Sequence, residues 1–378
     1  LALAAAISTV SLVGVGLSLT MALLAVRLAE IGYSARAIGL NPGAGGLATL
    51  AIATFVPQLA RRLGVRNLLF LALFAAVASL AAFALFENYW SWLVIRGVYG
   101  ASLTVLFVLS EFWINSVALP QKRGIILGIY TTSLAAGFAI GPTILAVTGT
   151  HGLAPFLAAT VLFFVAAIPV ALVGSHAPEI EQQAKTSLRS FLFTAPVATL
   201  AALIFGAIET AAMGLLPVYA LRNGMTAETG ALLVSLFALG NVICPIPMGL
   251  LSDRLDRRQL LCAIAVAGCL GAVLLPVAAA YGFPLFACLL VIWGGIVGGL
   301  YPVGLAHLGA RYQGAELAAA NATYIMLYSV GMLVGPPFLG AGLDLAPPGF
   351  FWSIAALLCG YFVIAIWRLK ESHQTHKV

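Results

Sequence analysis

Three ionisable residues stand inside stretches that are otherwise almost free of charge: Arg96, Glu111 and Glu209. Glu209 is the most informative, because its run, residues 193–220, has no basic residue near it in sequence, and Phe205, Met213 and Leu216 fall on roughly its face. A carboxylate in an apolar setting is costly unless it faces a cavity, meets a partner or stays protonated. Glu209 therefore reads as a proton-coupling or cation-recognising group, with a protonated glutamate hydrogen-bonded to a neighbouring helix as the plainer alternative. Glu111, with Asn115 one turn on, either pairs with Arg61, Arg62 or Arg66 or takes part in coupling. Arg96 lies fifteen residues before Glu111, about 22 Å along a helix, so the two do not pair. Small neighbours at Gly97 and Gly100 favour an interior Arg96 over a snorkelling one. There it would hold an anion or repel protons.

Further candidates are polar groups at the ends of apolar runs. Tyr130, Asn321, Tyr324 and Tyr328 either line a cavity or anchor the chain at a membrane interface, and the last three share a face by their spacing. His307 reads as a helix-end residue. Gly137, Gly141 and Pro142, and again Gly331, Gly335 and Pro336, put small residues four apart before a proline. That pattern permits close helix approach and a bend, and so serves packing or a hinge. The five cysteines have neither metal-ligand nor disulfide spacing. With no phosphate loop, metal cluster or nucleophile–base pair, the sequence predicts no enzyme, no cofactor and no metal, and any work must be driven by a gradient.

The elements that position these residues are membrane helices. Of 378 residues, 62% are hydrophobic and only 8% charged, a balance that belongs in lipid. Apolar runs at 3–26, 37–59, 67–86, 91–117, 124–147, 153–174, 193–220, 229–251, 259–280, 284–308, 317–341 and 350–367 predict twelve spans. The first reads as a span rather than a cleavable signal, and a first residue other than Met as a trimmed start. With the N-terminus in the cytoplasm, fourteen Lys and Arg fall inside and three outside. That is a positive-inside pattern, so the basic residues report topology and not nucleic-acid binding.

The chain also repeats. A shift of 192 residues lays Gly32-Tyr33-Ser34-Ala35 on Gly224-Met225-Thr226-Ala227, and Arg62 and Arg66 on Arg254 and Arg258. A shift of 194 lays Tyr130, Gly137, Gly141 and Pro142 on Tyr324, Gly331, Gly335 and Pro336. Two related halves follow: 1–174 and 191–378, each a six-helix bundle, joined by a polar cytoplasmic linker at 175–190. Glu209 falls on Leu17, so its acidity belongs to one half.

Gly249 to Arg258 resembles the loop signature of the major facilitator superfamily, Gly-x-x-x-Asp-Arg-x-Gly-Arg-Arg, with Asp256 where glycine is usual. The first-half copy is degraded, with Pro57 for glycine and Arg61 for aspartate. Arg96-x-x-x-Gly100 resembles the family's fourth-helix motif. Gly128 to Pro142 resembles its antiporter-associated fifth-helix motif, apart from Leu145 and Ala146 in place of the last glycines. Ser110 to Asn115, Gly206 to Gly224, Leu300-Tyr301-Pro302 and Gly335-Pro336 are similar to the YcaD-like branch. The resemblance implies an inner-membrane secondary transporter working by alternating access. Asp253, Arg254, Arg257 and Arg258 would form a cytoplasmic latch. Together these readings predict a monomeric, all-α major facilitator fold moving protons and a small-molecule substrate across the bilayer, with both termini cytoplasmic. Export of an amphipathic or apolar compound by proton antiport is the preferred expectation. Proton-coupled uptake of an organic anion or nutrient is the alternative, and a lipid flippase or receptor the next.

Overall fold

A computed structural model describes residues 2–53, 55–117, 123–172, 196–311 and 314–375. The seam at 175–190 lies outside them, as do the side chains of Glu111, Asn115, Asp253 and Asn321.

Among the described residues every element is a helix: α1 (Ala2–Ile31), α2 (Ala35–Ala53), α3 (Val56–Leu63), α4 (Val65–Leu85), α5 (Tyr89–Val117), α6 (Arg123–Thr148) and α7 (Ala154–Leu172) come first. After the seam follow α8 (Pro196–Arg222), α9 (Ala227–Ile243), α10 (Pro245–Arg254), α11 (Arg257–Tyr281), α12 (Phe283–Gly298), α13 (Leu300–Arg311), α14 (Gly314–Leu345) and α15 (Gly349–Thr375). Among the described residues nine helical segments are long and apolar enough to cross a bilayer, and two shorter apolar helices accompany them. This is an all-α polytopic membrane protein. Lipid offers the backbone no hydrogen-bond partner, so helices satisfy it internally.

Three apolar runs read as single spans from sequence are broken: α2 from α3, α9 from α10 and α12 from α13. In each case the second segment has a proline in its first turn, at Pro57, Pro245 and Pro302. A proline lacks an N–H and is tolerated there because the first amides of a helix have no intrahelical partner anyway.

The helices gather into two compact units. One comprises Leu1–Tyr33, Leu40–Gln182 and Met213–Ser235, and the other Ser34–Gly39, Gln183–Ala212 and Leu236–Val378. In the first, α1 packs along α6 and α7, and α4 along α5; in the second, α11 packs along α12 and α15. The start of α2 is held within the second unit, where the Asp344 carboxylate accepts from the Ala35 amide at 2.7 Å and from the Arg36 amide at 2.9 Å.

The duplication reaches individual hydrogen bonds. After α1, Tyr33 N–H donates to Leu28 O and Gly32 N–H to Ala29 O; after α8, Met225 N–H donates to Ala220 O and Gly224 N–H to Leu221 O. Gly32 and Gly224 have φ of 99° and 73°, the left-handed conformation that this helix-ending turn demands and glycine adopts at no steric cost. Ser34 Oγ then accepts from Ala37 N–H, and Thr226 Oγ1 from Thr229 N–H, so both following helices open on a hydroxyl cap. Close packing repeats too. A Cβ on Gly137 would meet the Ser11 carbonyl at 2.7 Å, and one on Gly331 would meet the Leu203 carbonyl. Likewise Gly141 lies on Val15 and Gly335 on Ala207. These contacts place the two glycine motifs in tight helix pairs, α1 with α6 and α8 with α14.

Asp256, the departure from the family signature, has a local role. Its carboxylate accepts from the backbone amides of Arg258 at 2.8 Å and Gln259 at 3.4 Å, capping α11. Asp256→Ala is expected to cost about 1 kcal/mol in detergent thermal unfolding, whereas Asp256→Gly is expected to cost only a few tenths.

Candidate functional site

Glu209 stands in the fourth turn of α8, in the part that belongs to the second unit, and α14 comes against it there. A Cβ on Gly206 would run into the backbone carbonyl of Tyr328, so only glycine lets the two helices approach this closely. That approach brings the Tyr328 hydroxyl to Glu209, to which it donates a 2.6 Å hydrogen bond at Oε2. Bonds this short between a hydroxyl and a carboxyl group are among the stronger ones in proteins. Both side chains remain only partly buried. Among the described residues no basic side chain forms an ion pair with Glu209.

Aromatic rings surround the pair. Phe205, one turn before Glu209, has its ring centroid 5.8 Å from Tyr301 and 6.1 Å from Tyr328, and Tyr301 and Tyr328 are 5.6 Å apart. Tyr324 lies edge-on to Tyr301 at 5.1 Å, and its hydroxyl donates to the Tyr301 carbonyl at 2.7 Å. The break that starts α13 thus sets Tyr301 in place, and Tyr324 pins it. Ala198, Ala202 and Leu308 close the apolar side of the cluster.

The first half has no counterpart to this pair. The repeat sets Glu209 on Leu17, Gly206 on Gly14 and Tyr328 on Leu134. A Cβ on Gly14 would meet the Leu134 side chain at 2.7 Å, so the two helices also meet there, with leucines at the positions of the carboxyl group and the phenol. Packing alone therefore does not require a carboxyl group and a phenol at this place.

Arg96 is buried in the first unit, with 3% of its surface exposed. Its guanidinium carbon lies 5.6 Å from the ring centre of Tyr99, whose hydroxyl is 3.2 Å from that of Thr20. Arg96 Nη1 has no hydrogen-bond partner among the described residues. The small neighbour that matters is Gly100, packed on Gly45, while the space beside Gly97 is open.

The structure thus gathers Phe205, Glu209, Tyr324 and Tyr328 in one cluster and adds Tyr301, which the sequence reading had quoted only for its family resemblance. Met213 and Tyr130 are buried elsewhere in their helices. Arg254 at the end of α10 is exposed, and Arg257 and Arg258 at the start of α11 are partly so. Among the described residues no group of His, Cys, Asp and Glu is placed to hold a metal ion.

The chain belongs to the major facilitator superfamily, whose family model matches residues 6–231 and 198–378. Two curated relatives are uncharacterised transporters of this type. YfkF of Bacillus subtilis is 27% identical, over 86% of this chain and 85% of its own length. YcaD of Escherichia coli is 25% identical, over 74% and 72%. Among solved structures, the nucleoside transporter NupG superposes with a TM-score of 0.76 at 13% identity, covering 97% of this chain and 99% of its own. A bacterial homologue of the human lysosomal transporter Spinster, inward-facing and unoccupied, gives 0.75 at 13% identity, covering 96% and 94%. These structures share the fold. The chain is a non-enzymatic integral membrane protein, a secondary transporter of the superfamily working by alternating access.

Proposed function

We propose that this superfamily member takes up a small polar or anionic organic nutrient, with the proton that drives uptake carried on Glu209. The observation that carries the reading is the Glu209–Tyr328 hydrogen bond at positions where the repeat places Leu17 and Leu134 in the other half. A carboxyl group with a hydroxyl partner and, among the described residues, no ion pair is free to exchange its proton, as a proton carrier requires. Tyr328 acts as a positioning residue that fixes the carboxyl group and stabilises its charged form.

Export of an apolar compound is the less supported direction. That expectation leaned on the antiporter-associated fifth-helix resemblance, in which Leu145 and Ala146 replace the last glycines, and on few polar groups in the spans, yet three tyrosine hydroxyls sit in one cluster and a buried guanidinium stands in the first unit. The fold is also that of a structure described as a nucleoside transporter, which handles a polar molecule. Taking α2 with α3, α9 with α10 and α12 with α13 as single spans gives twelve, in six-helix halves at 1–174 and 191–378. Bacterial relatives and the positive-inside charge pattern support a bacterial cytoplasmic membrane with both termini inside. Asp253, with Arg254, Arg257 and Arg258, would latch the cytoplasmic ends.

Right-side-out vesicles test the direction. Under an acidic exterior, members of a panel of labelled organic acids, amino acids and nucleosides should accumulate inside and leak out when a protonophore is added. Accumulation only in inverted vesicles with an acidic lumen would restore export.

A further inference from the structure

Helices α2 and α5 run side by side in matched steps. Gly45 and Gly100 touch, since a Cβ on Gly100 would lie 2.7 Å from the Gly45 Cα. One turn on, the hydroxyls of Thr49 and Thr104 are 2.8 Å apart. Both rungs join residues 55 apart in sequence, so the helices are parallel and in register. One turn the other way, the next rung is Asn41 with Arg96, because residues four apart on a helix share a face. The Arg96 side chain packs over Gly45 of the adjoining rung, with its Nε 3.6 Å from where a Gly45 Cβ would stand.

Asn41 and Arg96 are each only 3% exposed. Asn41 Nδ2 and Arg96 Nη1 are both sealed from solvent and without a hydrogen-bond partner among the described residues. Two buried donors on one rung lack an acceptor. A buried, unsatisfied donor is costly, and an unpaired guanidinium more so. The second half shows that the fold does not call for them: the repeat sets Asn41 on Leu233 and Arg96 on Leu290, each a fully buried leucine. In that half the next rung along puts the Phe237 carbonyl against Gly294, so the duplicated geometry is kept while the polarity is absent.

We infer that Asn41 and Arg96 form the binding site for the carboxylate of an organic acid. The guanidinium supplies one positive charge and a planar pair of donors, and the amide supplies a further N–H beside it. A carboxylate offers one negative charge and two oxygens in a plane, which satisfies both orphaned donors and neutralises the site. A phosphate dianion would leave a charge buried without a partner. Tyr99, held by Thr20, positions the guanidinium, and the Gly45–Gly100 contact fixes the two helices beside it. The inference rests on the uptake reading only in treating this carboxylate as cargo.

Thermal unfolding of the full chain in detergent, with matched probes, tests it. Benzoate, lactate and nicotinate are compared with benzamide, lactamide and nicotinamide, and with phenylphosphonate. At least one carboxylate is expected to raise Tm in a saturable way, and its amide to leave Tm unchanged. Arg96→Gln is expected to weaken that binding by about 10- to 100-fold, and Arg96→Lys by less. Asn41→Leu copies the leucine of the other half, so it should fold and weaken binding by about 10-fold. A wild type indifferent to all three carboxylates, amides that bind as well as acids, a preference for the phosphonate, or unaltered binding in folded Asn41→Leu would each overturn the site. In Glu209→Gln the carboxylate shift is expected to survive. If that variant also keeps proton movement, the proton assignment falls and the carboxylate site stands.

Discussion

In proteoliposomes carrying Glu209→Gln, uphill accumulation driven by an inward proton gradient is expected to fall to the level of empty vesicles. Exchange of labelled for unlabelled substrate at equal pH should persist. The amide preserves size and can still meet the Tyr328 hydroxyl, which donates to Glu209 at 2.6 Å, but it can neither take up nor release a proton. Alternating access needs only that both conformations be reachable with the site occupied, and a permanently neutral side chain satisfies that in exchange. The coupling is what goes. Tyr328→Phe keeps the ring that packs on Phe205 and Tyr301 and removes only the hydroxyl. It is expected to lower gradient-driven uptake by about 10-fold, and to shift its pH dependence, which a purely structural defect would not do. Loss of exchange in Glu209→Gln, in a protein that still unfolds cooperatively at the wild-type Tm, would show that Glu209 binds cargo and does not merely carry the proton.

The second large effect concerns folding. Gly331→Leu is expected to leave little folded protein on size-exclusion chromatography, and Gly206→Val to do nearly the same. At Gly331 an added Cβ meets the Leu203 carbonyl and stands 2.9 Å from the Ala207 nitrogen; at Gly206 it meets the Tyr328 carbonyl and, at 3.0 Å, the ring. All but the ring are backbone atoms of a packed helix and cannot swing aside as a side chain would. Overpacking of an interior typically costs about 1–3 kcal/mol, and here separating α8 from α14 would also forfeit the glycine-dependent contacts of the whole seam. A Gly360→Ala control has nothing within 4 Å of the new methyl group. It should match or slightly exceed the wild type, because alanine favours a helix interior by about 1 kcal/mol over glycine. Normal yield of Gly331→Leu would mean that the helix pair is looser than its contacts indicate.

Much of this arrangement could be read from residues alone. Gly32 and Gly224, Gly137 and Gly331, and Gly141 and Gly335 stand at nearly constant offsets. Each turned out to be a position where backbone conformation or helix contact excludes a side chain. Glycine is legible because few other residues tolerate what it tolerates. Glu209 was legible because a carboxyl group in an apolar run is expensive wherever the chain leads it.

The rest depended on which helices meet. Tyr301 carried no local signal of a site, since its place beside Phe205 comes from the break before α13 and from a helix nearly a hundred residues away. The three helix breaks were hidden because hydropathy runs through them without a pause, although Pro57, Pro245 and Pro302 marked them. Asn41 was overlooked beside Pro42 at the start of its run. Laying it on its duplicate, Leu233, would have exposed the same one-sided polarity that singled out Glu209 against Leu17.

The most direct test of the central claim is proton movement itself. Wild-type and Glu209→Gln proteoliposomes, loaded with a pH-sensitive dye and held at equal internal volume, receive external substrate from the uptake panel with no imposed pH gradient. The account predicts acidification of the wild-type lumen on substrate addition, and none in the variant. Acidification of equal size in both would contradict it, because the proton would then be travelling without Glu209.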